Sequence, residues 1–196
     1  MSSRSFKRVC VFCGSSQDVS PRFFQAARAV GRGLAQRNLA LVYGGGRAGL
    51  MGAVADAALE AGGQVLGVIP QKLDSVEQTH HGLTELFVVD SMRARKAMMA
   101  HLSNAFLALP GGFGTLEELF EVVTLTQLRY HDKPVGLLNV DGYYDAMLDF
   151  LRVAHIQGFI RPAHRDLIQV SDDLPDLLSK LTTCELPDFP PLTPRG

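Results

Sequence analysis

A doubly wound α/β fold, with a mostly parallel sheet of about seven strands flanked by helices, is predicted by three observations. Seven short apolar runs of strand length recur along the chain. They are continuous rather than alternating, which is the pattern of strands buried on both faces. Helical patterns separate them, and strand–helix repetition leads to a parallel sheet covered on both sides.

The strand runs are residues 9–13, 39–43, 65–69, 86–89, 105–109 and 135–138, with a weaker one at 167–170; each is bounded by Gly, Pro, Asp or Asn. Ser20 followed by Pro21 reads as an N-cap and first helical residue, opening a helix to about Arg37. Further helices are expected over 50–61, 92–102, 116–128, 143–154 and 174–181. This is a Rossmann-like layout. No repeat or linker interrupts it, so residues 1–185 read as one domain. Residues 186–196, with Pro187, Pro190, Pro191 and Pro194, read as an extended Pro-rich tail.

Composition narrows the function classes. Hydrophobic residues make up 46% of the 196, too many for a largely disordered chain. Nineteen Lys and Arg against twenty Asp and Glu leave a formal charge of −1, which argues against a nucleic-acid partner bound by bulk charge. No apolar run approaches the roughly 18 residues of a membrane span, and the N-terminal apolar stretch is too short for a signal peptide. Three cysteines, an odd number, point to a reduced cytoplasmic protein. Cys10 and Cys13 lie in a strand, where alternation sends them to opposite faces, so they read as core residues. A zinc site would have only Cys184 and scattered His to complete it, and no metal is expected. His80 and His81 fall in a loop and read as solvated.

Two glycine-rich loops follow strands: Gly44-Gly45-Gly46-Arg47-Ala48-Gly49 and Pro110-Gly111-Gly112-Phe113-Gly114-Thr115. Ligands of such folds bind beyond the carboxyl ends of the strands. Glycine lets backbone approach an anion, and the following helix offers free N–H groups and the positive end of its dipole. A tight strand–helix turn would also favour glycine, but two such loops in one sheet favour a phosphate. Gly44, Gly46 and Gly49 match G-x-G-x-x-G, yet the next strand ends Val68-Ile69-Pro70 without the acid that a dinucleotide ribose requires. Neither loop is G-x-x-x-x-G-K-[ST], so phosphoryl transfer is disfavoured. A small phosphorylated ligand such as a mononucleotide remains.

Two helices carry the charged candidates. Ser91 is placed as N-cap of a helix in which Met92, Arg95, Lys96 and Met99 share a face, with Arg93 nearly opposite Arg95. Arg95 and Lys96 either snorkel over apolar surface into water, or Arg95 binds a phosphate or polarises a leaving group. In the helix over 116–128, Leu116, Leu119, Phe120 and Val123 form the stripe expected to face the sheet. Val122, Leu125 and Leu128 form a second apolar stripe, with Glu118 and Glu121 on its side; a second subunit is the expected cover, giving a homodimer through this helix. Thr115 and Glu118 also spell a T-x-x-E capping box, a structural reading of Glu118 that competes with a catalytic one.

Met92-x-x-Arg95-Lys96-x-x-Met99 followed by Pro110-Gly111-Gly112-x-Gly114-Thr115-x-x-Glu118 resembles the paired signature of the Lonely Guy family, the cytokinin riboside 5′-monophosphate phosphoribohydrolases. The stretches 11–16, 43–46, 49–52, 68–70 and 132–137 are similar to that family too, so the resemblance spans roughly residues 8–182. Arg93 departs from it, since relatives often carry His there. The resemblance implies hydrolysis of the N-glycosidic bond of N6-modified adenosine 5′-monophosphates, or AMP itself, to free base and ribose 5-phosphate. It places the catalytic pair on Arg95 and Glu118 and nucleotide contacts on Glu77, Lys96, Gly111, Gly112, Phe113, Gly114, Thr115, Leu116, Glu117 and Thr124. Gly45 and Gly46 of the first loop, with Gly14 and Ser15 of the 11–16 stretch, complete the substrate-binding candidates.

Such chemistry suits these residues. Breaking an N-glycoside builds oxocarbenium character on the ribose, which a carboxylate stabilises while orienting or deprotonating water. An arginine helps the purine leave or holds the phosphate. No metal or cofactor is needed. Relatives of the family have often been labelled lysine decarboxylases; that chemistry requires a pyridoxal phosphate lysine in a larger cofactor domain, and no residue here marks one. The competing reading is a non-catalytic nucleotide-binding or carrier protein, which would not need both Arg95 and Glu118.

Overall fold

The computed structural model describes residues 4–74 and 79–186. In chain order the elements are β1 (Arg8–Phe12), α1 (Pro21–Ala35), β2 (Ala40–Tyr43), α2 (Gly49–Glu60), β3 (Val65–Pro70), the single turn α3 (Gln71–Asp74), β4 (Glu85–Val89), α4 (Met92–Leu102), β5 (Ala105–Ala108), α5 (Phe113–Gln127), β6 (Val135–Leu138), α6 (Asp145–Ile156), β7 (Ile168–Ser171) and α7 (Leu174–Thr183). Residues 187–196 of the expected Pro-rich tail lie outside the described residues. Among those described, no helix is long and apolar enough to cross a membrane.

All seven strands are parallel, in the order β4-β3-β2-β1-β5-β6-β7. The chain winds outward from β1 to one edge, returns to the other side of β1 with β5, and winds out again. Alternation along β1 splits the core. Val9, Val11 and Cys13 face α1, α2 and α7, whereas Cys10 and Phe12 face α4, α5 and α6. The two cysteines thus point to opposite faces, as the alternation predicts, and both are buried free thiols. Burial pushes both thiols well up, with the Glu118 charge adding to the effect.

The second glycine loop is shorter than expected, because α5 begins at Phe113 with Gly112 as its N-cap. Its sheet-facing line is Thr115, Leu119, Val122 and Thr126, not Leu116, Leu119, Phe120 and Val123. Thr126 can take a buried position here because it returns its hydroxyl to the Val122 carbonyl of its own helix, at 2.9 Å. An apolar-only pattern passes over such residues. Val122 therefore belongs to the sheet face, while Leu116, Phe120 and Val123 are half-buried, Phe120 and Val123 toward α6. α6 itself has no fully buried residue. The buried Tyr144 just before it anchors the helix by donating its hydroxyl to the Leu109 carbonyl at 2.7 Å.

α1 packs tightly on α2 at Gly31, where a β-carbon would stand 2.2 Å from the Val54 carbonyl oxygen. Backbone cannot yield as a side chain does, so the crossing requires glycine. Gly31→Val is expected to cost about 2–3 kcal/mol and to lower Tm by roughly 5–10 °C in a thermal melt. Melting within 2 °C or so of the wild type would show that the helices separate at little cost.

Candidate active site

β1 and β5 lie side by side, but the helices that follow them cover opposite faces of the sheet. Their carboxyl ends therefore diverge and leave a crevice. A cleft of about 340 Å³ occupies it, within the usual range for a small ligand. Three turns wall the cleft and are tied by main-chain bonds. The Gly14 N–H donates to the Pro110 carbonyl at 3.1 Å, and the Leu50 N–H donates to the Gly14 carbonyl at 2.9 Å. The uncapped first turn of α5 opens here, bringing the amides of Phe113, Gly114 and Thr115 to the ligand side. Phe113 is 93% exposed at the rim.

Arg95 reaches the cleft from α4. Ser91 starts that helix by accepting from the Ala94 N–H at 3.1 Å. The Arg95 side chain runs inward and retains only 5% of its exposure. Its Nε donates to the Val68 carbonyl at 3.1 Å and its Nη2 to the Gly44 carbonyl at 2.8 Å. These carbonyls lie at the ends of β3 and β2, so the sheet itself orients the guanidinium. Gly44 has to be glycine for this: a β-carbon there would stand 1.9 Å from Nη2. Arg93, on the other side of α4, is exposed, as helical geometry predicts.

Glu118 stands half-buried one turn into α5 and lines the same cleft as Arg95. The capping box does not form. With the helix starting at Phe113, Thr115 is inside the first turn, buried against Gly111, and Glu118 lies beyond the capping position. Lys96 turns away from the cleft toward α5, where it pairs with Glu117 and, at 3.1 Å, with Glu121. Burial alone would lower the Lys96 pKa, but its bonds to the two carboxylates outweigh that and raise it.

Of the sequence-derived candidates, Gly14, Ser15, Arg95, Gly111, Gly112, Phe113, Gly114, Thr115 and Glu118 line this one cleft. Gly45 and Gly46 sit behind it, in the turn that holds Arg95. Leu116 packs into the α5 side of the core. Thr124 is exposed on α5, its hydroxyl returned to the Phe120 carbonyl at 2.7 Å, beside a groove between α5 and α6. Glu77 lies outside the described residues. Tyr143, which no sequence pattern marks, also lines the cleft and donates its hydroxyl to the Gly111 carbonyl at 2.9 Å. His80 corrects an expectation. It is 7% exposed rather than solvated, and its Nε2 meets Asp56 Oδ1 at 2.8 Å; only His81 is exposed. Among the described residues no group of three or more His, Cys, Asp or Glu is placed to hold a metal.

Comparison with known proteins places the chain in a family. Residues 51–181 match a family described as possible lysine decarboxylase, although among the described residues no lysine lines the cleft. A probable cytokinin riboside 5′-monophosphate phosphoribohydrolase of Oryza sativa subsp. japonica is 53% identical over 90% of this chain and 78% of its own. One of Arabidopsis thaliana is 50% identical over 92% and 84%, and one of Rhodococcoides fascians 50% over 86% and 85%. Among solved structures, the molybdenum cofactor carrier protein of Chlamydomonas reinhardtii shares the fold, with a TM-score of 0.67 at 22% identity over 90% of this chain and all of that one. With about half its residues shared with named phosphoribohydrolases over 86–92% of its own length, the chain belongs to the Lonely Guy family of cytokinin riboside 5′-monophosphate phosphoribohydrolases.

Proposed function

We infer that the protein hydrolyses the N-glycosidic bond of adenosine 5′-monophosphates, N6-modified or plain, releasing the base and ribose 5-phosphate. One observation carries this reading: Arg95 and Glu118, from different helices, line a single cleft walled by glycine turns. The amides of Gly112–Thr115 and the 14–15 turn suit the 5′-phosphate, since they pair a free helix N-terminus with close backbone approach. Glu118 stabilises positive charge on C1′ as the C1′–N9 bond breaks and takes a proton from the attacking water. The water oxygen bonds to C1′, the C1′–N9 electron pair leaves with the purine, and the proton that Glu118 took passes to the purine nitrogen through solvent, restoring the carboxylate. Arg95, fixed by two carbonyls, presents a permanent positive charge to the phosphate or to the departing base. Three free thiols suit work in the cytoplasm, where they stay reduced.

The assembly belongs to the same reading. Leu128 is 42% exposed on α5, with Leu125 half-buried beside it, and Phe150, Val153 and Ile156 stand exposed on α6. We propose that a second copy covers this face as a homodimer. Thr124, Glu117 and Lys96 lie on or beside that face, outside the cleft of their own protomer, so they reach substrate only through the dimer.

Monophosphates should be cleaved at least about 100-fold better than the nucleosides, equivalent to about 2.7 kcal/mol, measured as kcat/KM for AMP and adenosine. Comparable values would overturn the phosphate assignment. Glu118→Gln should keep its Tm and its AMP binding while losing at least about 100-fold in turnover. Arg95→Ala should abolish turnover, whereas Arg93→Ala should be mild. Near-normal activity of Glu118→Gln, or equal loss in the two arginine variants, would remove the proposed mechanism. Leu125→Asp should yield inactive monomers by light scattering; a monomeric, active wild type would exclude the dimer.

A further inference from the structure

His80 is a buried, titratable side chain that the proposed mechanism does not use. Its ring is held at both nitrogens. Nδ1 accepts from the Gly82 N–H at 3.1 Å, which leaves the proton on Nε2 to be donated to Asp56 Oδ1 of α2 at 2.8 Å. Its backbone N–H donates to the Gly45 carbonyl at 3.1 Å, and the adjacent Thr79 pairs with Gly46 in an antiparallel bridge. The turn at 44–46 is therefore gripped on one side by residues 79–80, and on the other its Gly44 carbonyl receives the Arg95 guanidinium at 2.8 Å. Gly45 has a φ of +77°, in the left-handed region. A turn of glycines has little stiffness of its own, so its carbonyls stay aimed only if neighbouring groups hold them.

We propose that His80, locked by Asp56, is a positioning residue for the reaction: it pins the 44–46 turn so that the Gly44 carbonyl holds Arg95 toward the cleft. This rests on the glycosidase reading for its kinetic consequence, but the geometry of Arg95 reports on it independently. Losing the lock should lower kcat while leaving most substrate contacts in place, because a small misplacement of a charged group costs far more in the transition state than in binding.

The test uses the full chain with AMP as substrate and, in parallel, the ¹⁵N-edited Nε–H resonance of Arg95, identified by its absence in Arg95→Lys. His80→Ala and Asp56→Ala should each lower kcat by on the order of 30-fold or more with KM changed less than about threefold. Both should broaden or shift the Arg95 resonance. Asp56→Asn, whose amide oxygen still accepts from Nε2–H, should restore kcat to within about threefold of the wild type and return the resonance. Asp56 is half-exposed on α2, so its variants decide the matter if His80→Ala does not fold. Unchanged kcat and an unchanged Arg95 resonance in Asp56→Ala would overturn the proposal, as would a loss confined to Tm. A wild type without turnover would refute the glycosidase reading instead, and the resonance alone would then decide the lock.

Discussion

A guanidinium with 5% of its surface left cannot rely on water, and without partners it would cost several kcal/mol to bury. Arg95 is held inside the protein by hydrogen bonds to carbonyl oxygens of two neighbouring strands, Gly44 just after β2 and Val68 in β3. Much of the site follows from that requirement. Residue 44 has no β-carbon because the guanidinium occupies its place. The turn that follows is braced from behind by residues 79 and 80. α4 must begin close to the carboxyl edge of the sheet so that its first turn can deliver the side chain, and Ser91 sets that start.

The sheet order does the rest. Because β5 returns beside β1 and its helix goes to the opposite face, Glu118 on α5 and Arg95 on α4 reach a common crevice, although the order β4-β3-β2-β1-β5 puts three strands between those that precede their helices. Glycine turns at the crevice serve two purposes. They let 14–15 and 110–112 pack backbone against backbone, and they leave the first amides of α5 uncovered. The carboxylate and the guanidinium are thus held by different elements, and the guanidinium cannot be shifted without disturbing two strands.

The strands were readable from the sequence because a parallel sheet covered on both sides requires unbroken apolar runs, and each of the seven lies within one residue of its expected place at either end. Helix faces were less readable. α5 is apolar on two sides, and counting only apolar residues turned it the wrong way, since its burial line includes Thr115 and Thr126. The start of α5 is no more legible, because Phe113 and Gly114 look like loop in a glycine-rich stretch yet complete the first helical turn. That shift of three residues dissolves the apparent capping box and places Glu118 at the cleft.

Sequence alone determined the layered α/β fold, the two glycine turns and the opposed faces of Arg93 and Arg95. Each depends on local periodicity or on residues a few positions apart. Tertiary structure alone decided that Lys96 faces Glu117 and Glu121, that Tyr143 reaches Gly111, and that His80 is buried on Asp56. The physical reason is distance along the chain: these partners lie 21 to 32 residues apart, and no local preference for helix, strand or turn encodes which side chains the folded sheet brings together.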